Sequence, residues 1–307
     1  MIPRILLLDV AHVAVFLLLP PLLLGVITKT KAAFAGRVGP PLLQPYYDLV
    51  KLWRKGSVFS TSTSWVFKAG PVAAVATAAI AALLVPVARH APLSFEGDAI
   101  LFAYLFALGR FFTVAAALDT GSAFEGMGGA REATFSSLAE PALFFGLLVL
   151  GRISRSLSLV AMLAGGPEGH WPPRTGASLV LVVAALFVVL LVENSRIPFD
   201  DPNTHLELTM IHEVMVLDHG GPALGAVLYG ASLKLFVLSA LVVRIAVPYL
   251  GADPWIAWGA LLIGLLALAV SIGIVESVMA RLRLVHVPSL LVAACLLSGF
   301  GIVLLAR

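Results

Sequence analysis

Long apolar runs separated by short polar stretches organise the whole chain. Crossing a hydrocarbon core takes about 20 residues of helix. Eight runs reach or approach that length: 5–27, 67–88, 99–118, 138–151 with an extension toward 158, 176–193, 222–243, 254–275 and 287–306. Four segments are too polar to cross: 28–66, 119–137, 194–221 and 276–286. The pattern predicts an all-α polytopic membrane protein with eight transmembrane helices in a single membrane domain, 1–307. An even number of spans puts both termini on one side. No internal repeat breaks the chain into halves. The first run continues through Pro20 and Pro21 without a small-residue cleavage site, so it reads as a membrane span and not as a cleaved leader.

Residues 40–56, PPLLQPYYDLVKLWRKG, follow another rhythm. Apolar Tyr46, Leu49, Val50, Leu52 and Trp53 alternate at helical spacing with Asp48, Lys51, Arg54 and Lys55. This is a short amphipathic helix suited to the membrane interface, either an anchor or a lip around a lateral opening between spans.

Composition agrees with the pattern: 60% of residues are hydrophobic and 12% charged, against about 25% charged in soluble domains. The single cysteine, Cys295, excludes a disulfide framework and a cysteine-ligated cluster within one chain, so any redox metal belongs to a partner. No basic, aromatic-interleaved patch points to nucleic acid. Lys and Arg choose an orientation. Lys29, Lys31, Arg37, Lys51, Arg54, Lys55, Lys68, Arg131, Arg196, Arg281 and Arg283 would share one side, and Arg4, Arg89, Arg152, Arg155, Arg174, Arg244 and Arg307 the other. The first set is larger, which predicts that 194–221 is cytoplasmic and both termini lie outside.

Ionisable residues inside the apolar runs change the picture further. Arg110 lies in the middle of the third run and Lys234 in the middle of the sixth; Glu140 opens the fourth, Glu193 closes the fifth and Glu276 ends the seventh. A charge at that depth costs several kcal/mol, about 2.5–3.5 on insertion scales, and marks function by default. Each alone could be a structural ion pair. As a set of both signs they predict a chain of titratable groups. The segment 119–141 is glycine-rich and then helical; it predicts an irregular loop and lacks the G-K-[ST] of a phosphate loop. Arg131 and Glu140, nine residues apart, face opposite sides of a helix and serve different neighbours.

The densest chemistry is in 191–221, LVENSRIPFDDPNTHLELTMIHEVMVLDHGG. It holds six of the 17 acids (Glu193, Asp200, Asp201, Glu207, Glu213, Asp218) and three of the seven histidines. Pro198 and Pro202 end any helix continuing from the fifth run. Residues 203–219 are predicted helical, capped by Asn203 or Thr204, with His205, His212 and His219 near one face. HEVMVLDH is not H-E-x-x-H: its histidines lie about 10.5 Å apart along a helix axis, too far for one metal ion. Crowded acids repel, which raises some of their pKa values and suits proton handling. A solvated acidic loop is the alternative, opposed by Leu206, Leu208, Met210, Ile211, Val214 and Met215, which favour burial.

Residues 193–200, ENSRIPFD, resemble the E-x-N-R-x-P-F-D motif of subunit 1 of respiratory complex I, the NADH–quinone oxidoreductase. Glu193, Arg196, Pro198, Phe199 and Asp200 match it; Glu207 falls at a later acidic position, and Arg131 and Glu140 stand at the family spacing. RVGPPLLQPYYDLVKL, LDTGSAFEGMGGARE, DDPNTHLELTMIHEVMVLDHGG, ASLKL and ESVMARLRLVHVP are similar to the homologous membrane subunit of energy-converting [NiFe]-hydrogenases of the formate hydrogenlyase and hydrogenase-4 type. Asn203 and His205 depart from the complex I pattern, and Lys234 fits the hydrogenase branch.

The resemblance implies a non-catalytic anchor in a prokaryotic cytoplasmic membrane, without a cofactor or metal of its own. It would dock a hydrogenase-like large subunit and an Fe–S small subunit that carry the clusters and any [NiFe] centre, beside antiporter-like membrane partners. It further implies proton or Na⁺ coupling through Arg110, Glu140, Glu193, Asp200, Asp201, Glu207, Glu213 and Lys234. Redox-subunit docking, or a quinone-like cavity, would involve Arg37, Gln44, Asp48, Arg131, Glu132, Arg196 and His212. The alternative is the quinone-site subunit of a complex I-like enzyme, with the headgroup held between the first and sixth spans and the amphipathic helix.

Overall fold

The computed structural model describes residues 2–165, 171–200, 210–247 and 253–306. Helices α1 (Ile2–Leu18), α2 (Pro20–Phe34), α3 (Gln44–Trp53), α4 (Trp65–Leu84), α5 (Asp98–Asp119), α6 (Ala123–Ser154), α7 (Leu159–Met162), α8 (Gly176–Glu193), α9 (Gly221–Ala246), α10 (Pro254–Val278) and α11 (Val287–Leu305) follow in order. Seven of them are long and apolar enough to cross a membrane, and the bent pair α1–α2 makes an eighth crossing. This is the predicted all-α polytopic architecture. Alternating crossings bring the connections 35–64, 120–122, 194–220 and 279–286 to one face.

Side chains set several helix ends. Ser64 accepts the Val66 N–H at 3.2 Å to cap α4, and Asp253 accepts the Trp255 N–H at 3.1 Å to cap α10. Asp119, at the end of α5, accepts the N–H groups of Ser64 and Phe67 and ties α5 to the start of α4. Val85, extended before Pro86, ends α4.

Helix α9 is the hub: 72% of its membrane window is buried, against 28–56% for the other full-length spans. Gly230 brings it onto α4, since a Cβ there would meet the Ala74 backbone at 3.1 Å. In lipid, such close backbone approach and side-chain packing hold helices together, because lipid tails are as apolar as leucine.

The first span carries a break, and two sequence expectations need correction. The first run bends by 45° between α1 and α2. Pro20 and Pro21 have no N–H for the carbonyls four residues back, and the Leu22 N–H turns to Leu19 O instead. Tyrosines from two other helices reach two of the freed carbonyls: Tyr229 Oη donates to Leu17 O at 2.7 Å and Tyr46 Oη to Leu18 O at 2.5 Å.

The glycine-rich first part of 119–141 is not an irregular loop, for the helix expected after it begins already at Ala123 and α6 runs over 32 residues. One face of its polar first half, with Glu125, Gly128, Gly129, Glu132 and Ser136, is buried against protein. Gly128 makes that possible, since a Cβ would collide with Val214 and Met215 and with the Ile211 carbonyl.

The predicted helix 203–219 does not form over its described part. Residues 201–209, with Asp201, His205 and Glu207, lie outside the described residues, and 210–220 holds only a 3₁₀ turn, Glu213–Val216. Asp200 Oδ2 takes the N–H groups of Ile211 (3.0 Å) and His212 (3.3 Å), which competes with helix formation there.

Candidate functional site: a buried charge network and two cavities

Four helices deliver five charged side chains to one place. Arg110 on α5 donates through Nη1 to Glu140 Oε1 at 2.6 Å and through Nη2 to Glu193 Oε1 at 2.5 Å. Its Nε lies 3.5 Å from Glu132 Oε1. Lys234 Nζ on α9 is 2.7 Å from Glu193 Oε2. Glu132 and Glu140 both come from α6, about 12 Å apart along its axis, and the guanidinium fork bridges them. The Arg110 side chain is only 8% exposed and that of Glu193 6%. Two cations therefore face three carboxylates, one negative charge in excess when all are ionised. Glu132 has the loosest contact of the three.

A cavity of about 80 Å³ opens beside the network, lined by Arg110, Glu132, Glu193, Asn194, His212 and Lys234. With about 10–30 Å³ needed per water, it holds a few waters. A larger cavity of about 480 Å³ lies between α2, α3, α9 and the 194–216 segment, with Asp48, Arg196, Asp200, His212 and Glu213 among its polar lining and Pro21, Leu24 and Leu49 among its apolar wall. Asn194, His212, Val227 and Ala231 line both cavities.

A second layer of ion pairs fastens the 194–216 segment. Glu276 on α10 accepts Lys31 of α2 at 2.8 Å and lies 3.3 Å from Arg196. Asp200 pairs with Arg281 at 2.8 Å besides taking two backbone N–H groups, and the Leu282 N–H donates to Pro198 O. Arg131 donates to Met210 O at 3.0 Å and to Met127 Sδ at 2.8 Å, tying α6 to the same segment.

The residues expected from sequence thus separate into groups. Arg110, Glu140, Glu193 and Lys234 converge, and Glu132, expected among the docking residues, joins them. Asp200 and Arg196 sit in the fastening layer and also line the larger cavity, as do Glu213 and Asp48. Gln44 donates to Asp48 at 2.9 Å on α3, at the lip of that cavity. Arg37 lies in the exposed turn after α2, outside both cavities. His212 and His219 do not share a helix face. His212 faces the cavities, where burial, reinforced by Lys234 and opposed by Glu193, lowers its pKa to about 4. His219 stacks on Phe67, ring centroids 3.9 Å apart, and burial lowers its pKa against the pull of Asp218. Among the described residues no three of His, Cys, Asp and Glu converge as a metal site.

Sequence reasoning gave no role to Glu125, which is 1% exposed and accepts the Asp218 N–H at 2.9 Å. It also missed the Lys31–Glu276 pair and the buried Asp98, which accepts the Leu159 N–H at the opposite face. An acid at the first turn of a long helix, as at Asp98 and Glu125, is the one signal that could have flagged them.

This arrangement defines a multi-pass membrane subunit whose polar interior reaches from one face to mid-membrane. The comparisons agree. The NADH dehydrogenase family matches residues 8–306. The chain is 33% identical over 293 residues to formate hydrogenlyase subunit 4 of Escherichia coli (strain K12), covering 93% of this chain and 92% of that one. It is 32% identical over 240 residues to hydrogenase-4 component C of the same organism, covering 78% and 74%. An NADH-quinone oxidoreductase subunit of Rubrobacter xylanophilus is 34% identical over 178 residues, 56% of this chain and 53% of that one. A chain in the structure of the membrane-bound sulfane sulfur reductase, an archaeal respiratory membrane complex, shares the fold with a TM-score of 0.80 at 20% identity, covering 98% of both. The protein therefore belongs to the NADH dehydrogenase family of complex I subunit 1-like membrane proteins.

Proposed function

We propose that this chain is the membrane anchor and ion-coupling subunit of a multi-subunit, complex I-like oxidoreductase of the formate hydrogenlyase or hydrogenase-4 type. The observation that carries this reading is the charge-unbalanced network of Arg110, Lys234, Glu132, Glu140 and Glu193 at a water-sized cavity in mid-membrane. A structural ion pair needs no spare carboxylate; an ion path does. In this reading the 194–220 face is cytoplasmic and docks a hydrogenase-like large subunit and an Fe–S small subunit. Those partners hold the clusters and any [NiFe] centre, while antiporter-like membrane subunits continue the path for H⁺ or Na⁺.

The test is ion translocation against redox turnover for the purified complex in vesicles. Glu140→Gln, Glu213→Gln and Glu207→Gln should assemble and turn over yet lose most translocation. Unchanged translocation in all three rejects the ion path.

A second reading has its own support. The cavity of about 480 Å³ beside α3 has the place and the apolar wall that a quinone-site subunit would require. Co-purified quinone, or inhibition by quinone-site inhibitors, favours that reading.

A further inference from the structure

We infer that His212 is the proton relay between the larger lateral cavity and the buried network, an inference that rests on the ion-coupling reading above. Among the described residues four line both cavities, and of these Val227 and Ala231 are apolar. Asn194 is the third: its Nδ2 donates to Leu190 O at 2.8 Å and caps the end of α8, while its Oδ1 is buried without a hydrogen-bond partner among the described residues. An amide cannot take up one proton while giving up another. Among the described residues His212 is thus the shared wall residue with relay chemistry.

The local structure presents its ring without depending on it. The segment is pinned here by the His212 backbone N–H on Asp200, not by the imidazole. The 3₁₀ turn Glu213–Val216 follows at once, and Gly128 of α6 leaves room for Val214 and Met215 behind it. Toward the lateral cavity the ring shares its surroundings with Asp48 of α3, Glu213, and Asp200 and Arg196, both already in ion pairs. Toward the inner cavity it shares them with Arg110 of α5, Glu132 of α6, Glu193 of α8 and Lys234 of α9.

The step balances without a co-reactant. A neutral imidazole carries one N–H and one bare nitrogen. A proton arriving through lateral-cavity water adds to the bare nitrogen as the proton on the other nitrogen leaves into the inner cavity. Rotation of the ring or exchange of tautomers resets it. The receiving group is Glu132, whose contact with Arg110 is 3.5 Å against 2.6 and 2.5 Å for Glu140 and Glu193. Burial, assisted by Lys234 and opposed by Glu193, keeps His212 neutral down to about pH 4, so the ring conducts without becoming a fixed cation in the path.

Chemical rescue in the intact complex, reconstituted in vesicles, tests the relay. His212→Ala opens the wall for a free imidazole; His212→Gln keeps polarity and bulk should the alanine variant fail to assemble. Both should lose translocation per redox turnover by roughly 10²-fold, the scale of one lost proton-transfer group. Added imidazole should restore translocation in His212→Ala, and methylated imidazoles of different basicity should restore it to different degrees. Normal translocation in either variant overturns the relay. So does a loss that no imidazole repairs, since the side chain would then be structural. The two readings fail separately. If Glu140→Gln and Glu213→Gln also couple normally, the ion path itself is wrong; if they are impaired while His212→Ala is not, only the relay is.

Discussion

Charge balance in the buried network makes a prediction that the separate ion pairs do not. Lys234→Met removes one cation from two and leaves three carboxylates on Arg110 alone, so the excess rises from one negative charge to two. Glu193→Gln has the opposite effect and brings the network to neutrality, but strips Lys234 of a partner at 2.7 Å. Removing one member of a buried pair typically costs about 3–5 kcal/mol. Lys234 is 18% exposed and opens on a cavity, which places its loss at the lower end, about 3 kcal/mol. At about 2–4 °C per kcal/mol, that is a fall of roughly 6–12 °C in the melting temperature. The double variant Lys234→Met/Glu193→Gln restores one cation against two carboxylates, the same excess as the native network. It should therefore recover much of the loss, a coupling of at least about 1 kcal/mol in a double-mutant cycle. The assay is thermal unfolding of the purified protein in a single detergent, with all four proteins side by side. Strict additivity of the two losses would refute the charge-balance argument and leave the five residues as independent structural pairs.

Three further outcomes follow from the geometry. Tyr229→Phe takes the hydroxyl from the Leu17 carbonyl at the α1–α2 bend and should cost about 0.6–1.7 kcal/mol, the range of interhelical hydrogen bonds in membranes; an unchanged melting temperature would show that packing alone holds the bend. Gly128→Val would meet Val214, Met215 and the Ile211 carbonyl and should destabilise by about 1–3 kcal/mol, with faster hydrogen exchange in 210–219; native exchange there would overturn the packing role of this glycine. His212 and His219 both have folded pKa values below the unfolded one, so the unfolded chain binds more protons and stability is fully present above about pH 6.5 and lost as pH falls. For His212, held at about 4, the loss from pH 7.5 to 5 is about 2 kcal/mol. His212→Asn should flatten that part of the stability profile, and an equally steep profile would contradict it.

Hydropathy made the crossings legible, because lipid enforces one solution: an apolar helix with its backbone satisfied internally. Span boundaries fell within about four residues of the ends of α4, α5, α8, α9, α10 and α11. The errors came where protein replaced lipid or water as the neighbour. Glu125, Glu132 and the glycines from Gly126 to Gly129 read as too polar or too irregular to cross, yet they continue α6 because Arg110 and the 210–218 segment cover them. The bend at Leu19 was visible as Pro20-Pro21, but its consequence depended on hydroxyls of Tyr46 and Tyr229, 28 and 212 residues away. Asn203 or Thr204 as a cap after Pro202 suggested a helix over 203–219, and over its described part Asp200 binds two backbone N–H groups that a helix would have used. Arg110 and Lys234 were identified as misplaced charges from sequence alone. That both meet at Glu193 was not readable, because nothing local encodes which carboxylate a long cation reaches.

The two layers of charge bear on how the face and the interior communicate. In the inner layer three carboxylates meet Arg110 and Lys234. In the layer nearer the 194–220 face, among the described residues, Lys31, Arg196 and Arg281 pair with Glu276 and Asp200. A proton taken up by the inner layer neutralises its negative excess. In the proposed function, negative charge arriving on a partner docked above that face raises the proton affinity of the inner carboxylates, so reduction of such a partner and protonation of the inner network favour one another by electrostatics. The outer layer also anchors the segment bearing His212 through Arg196 and Asp200, so the wall between the two cavities is built from the same ion pairs that would sense the partner's charge.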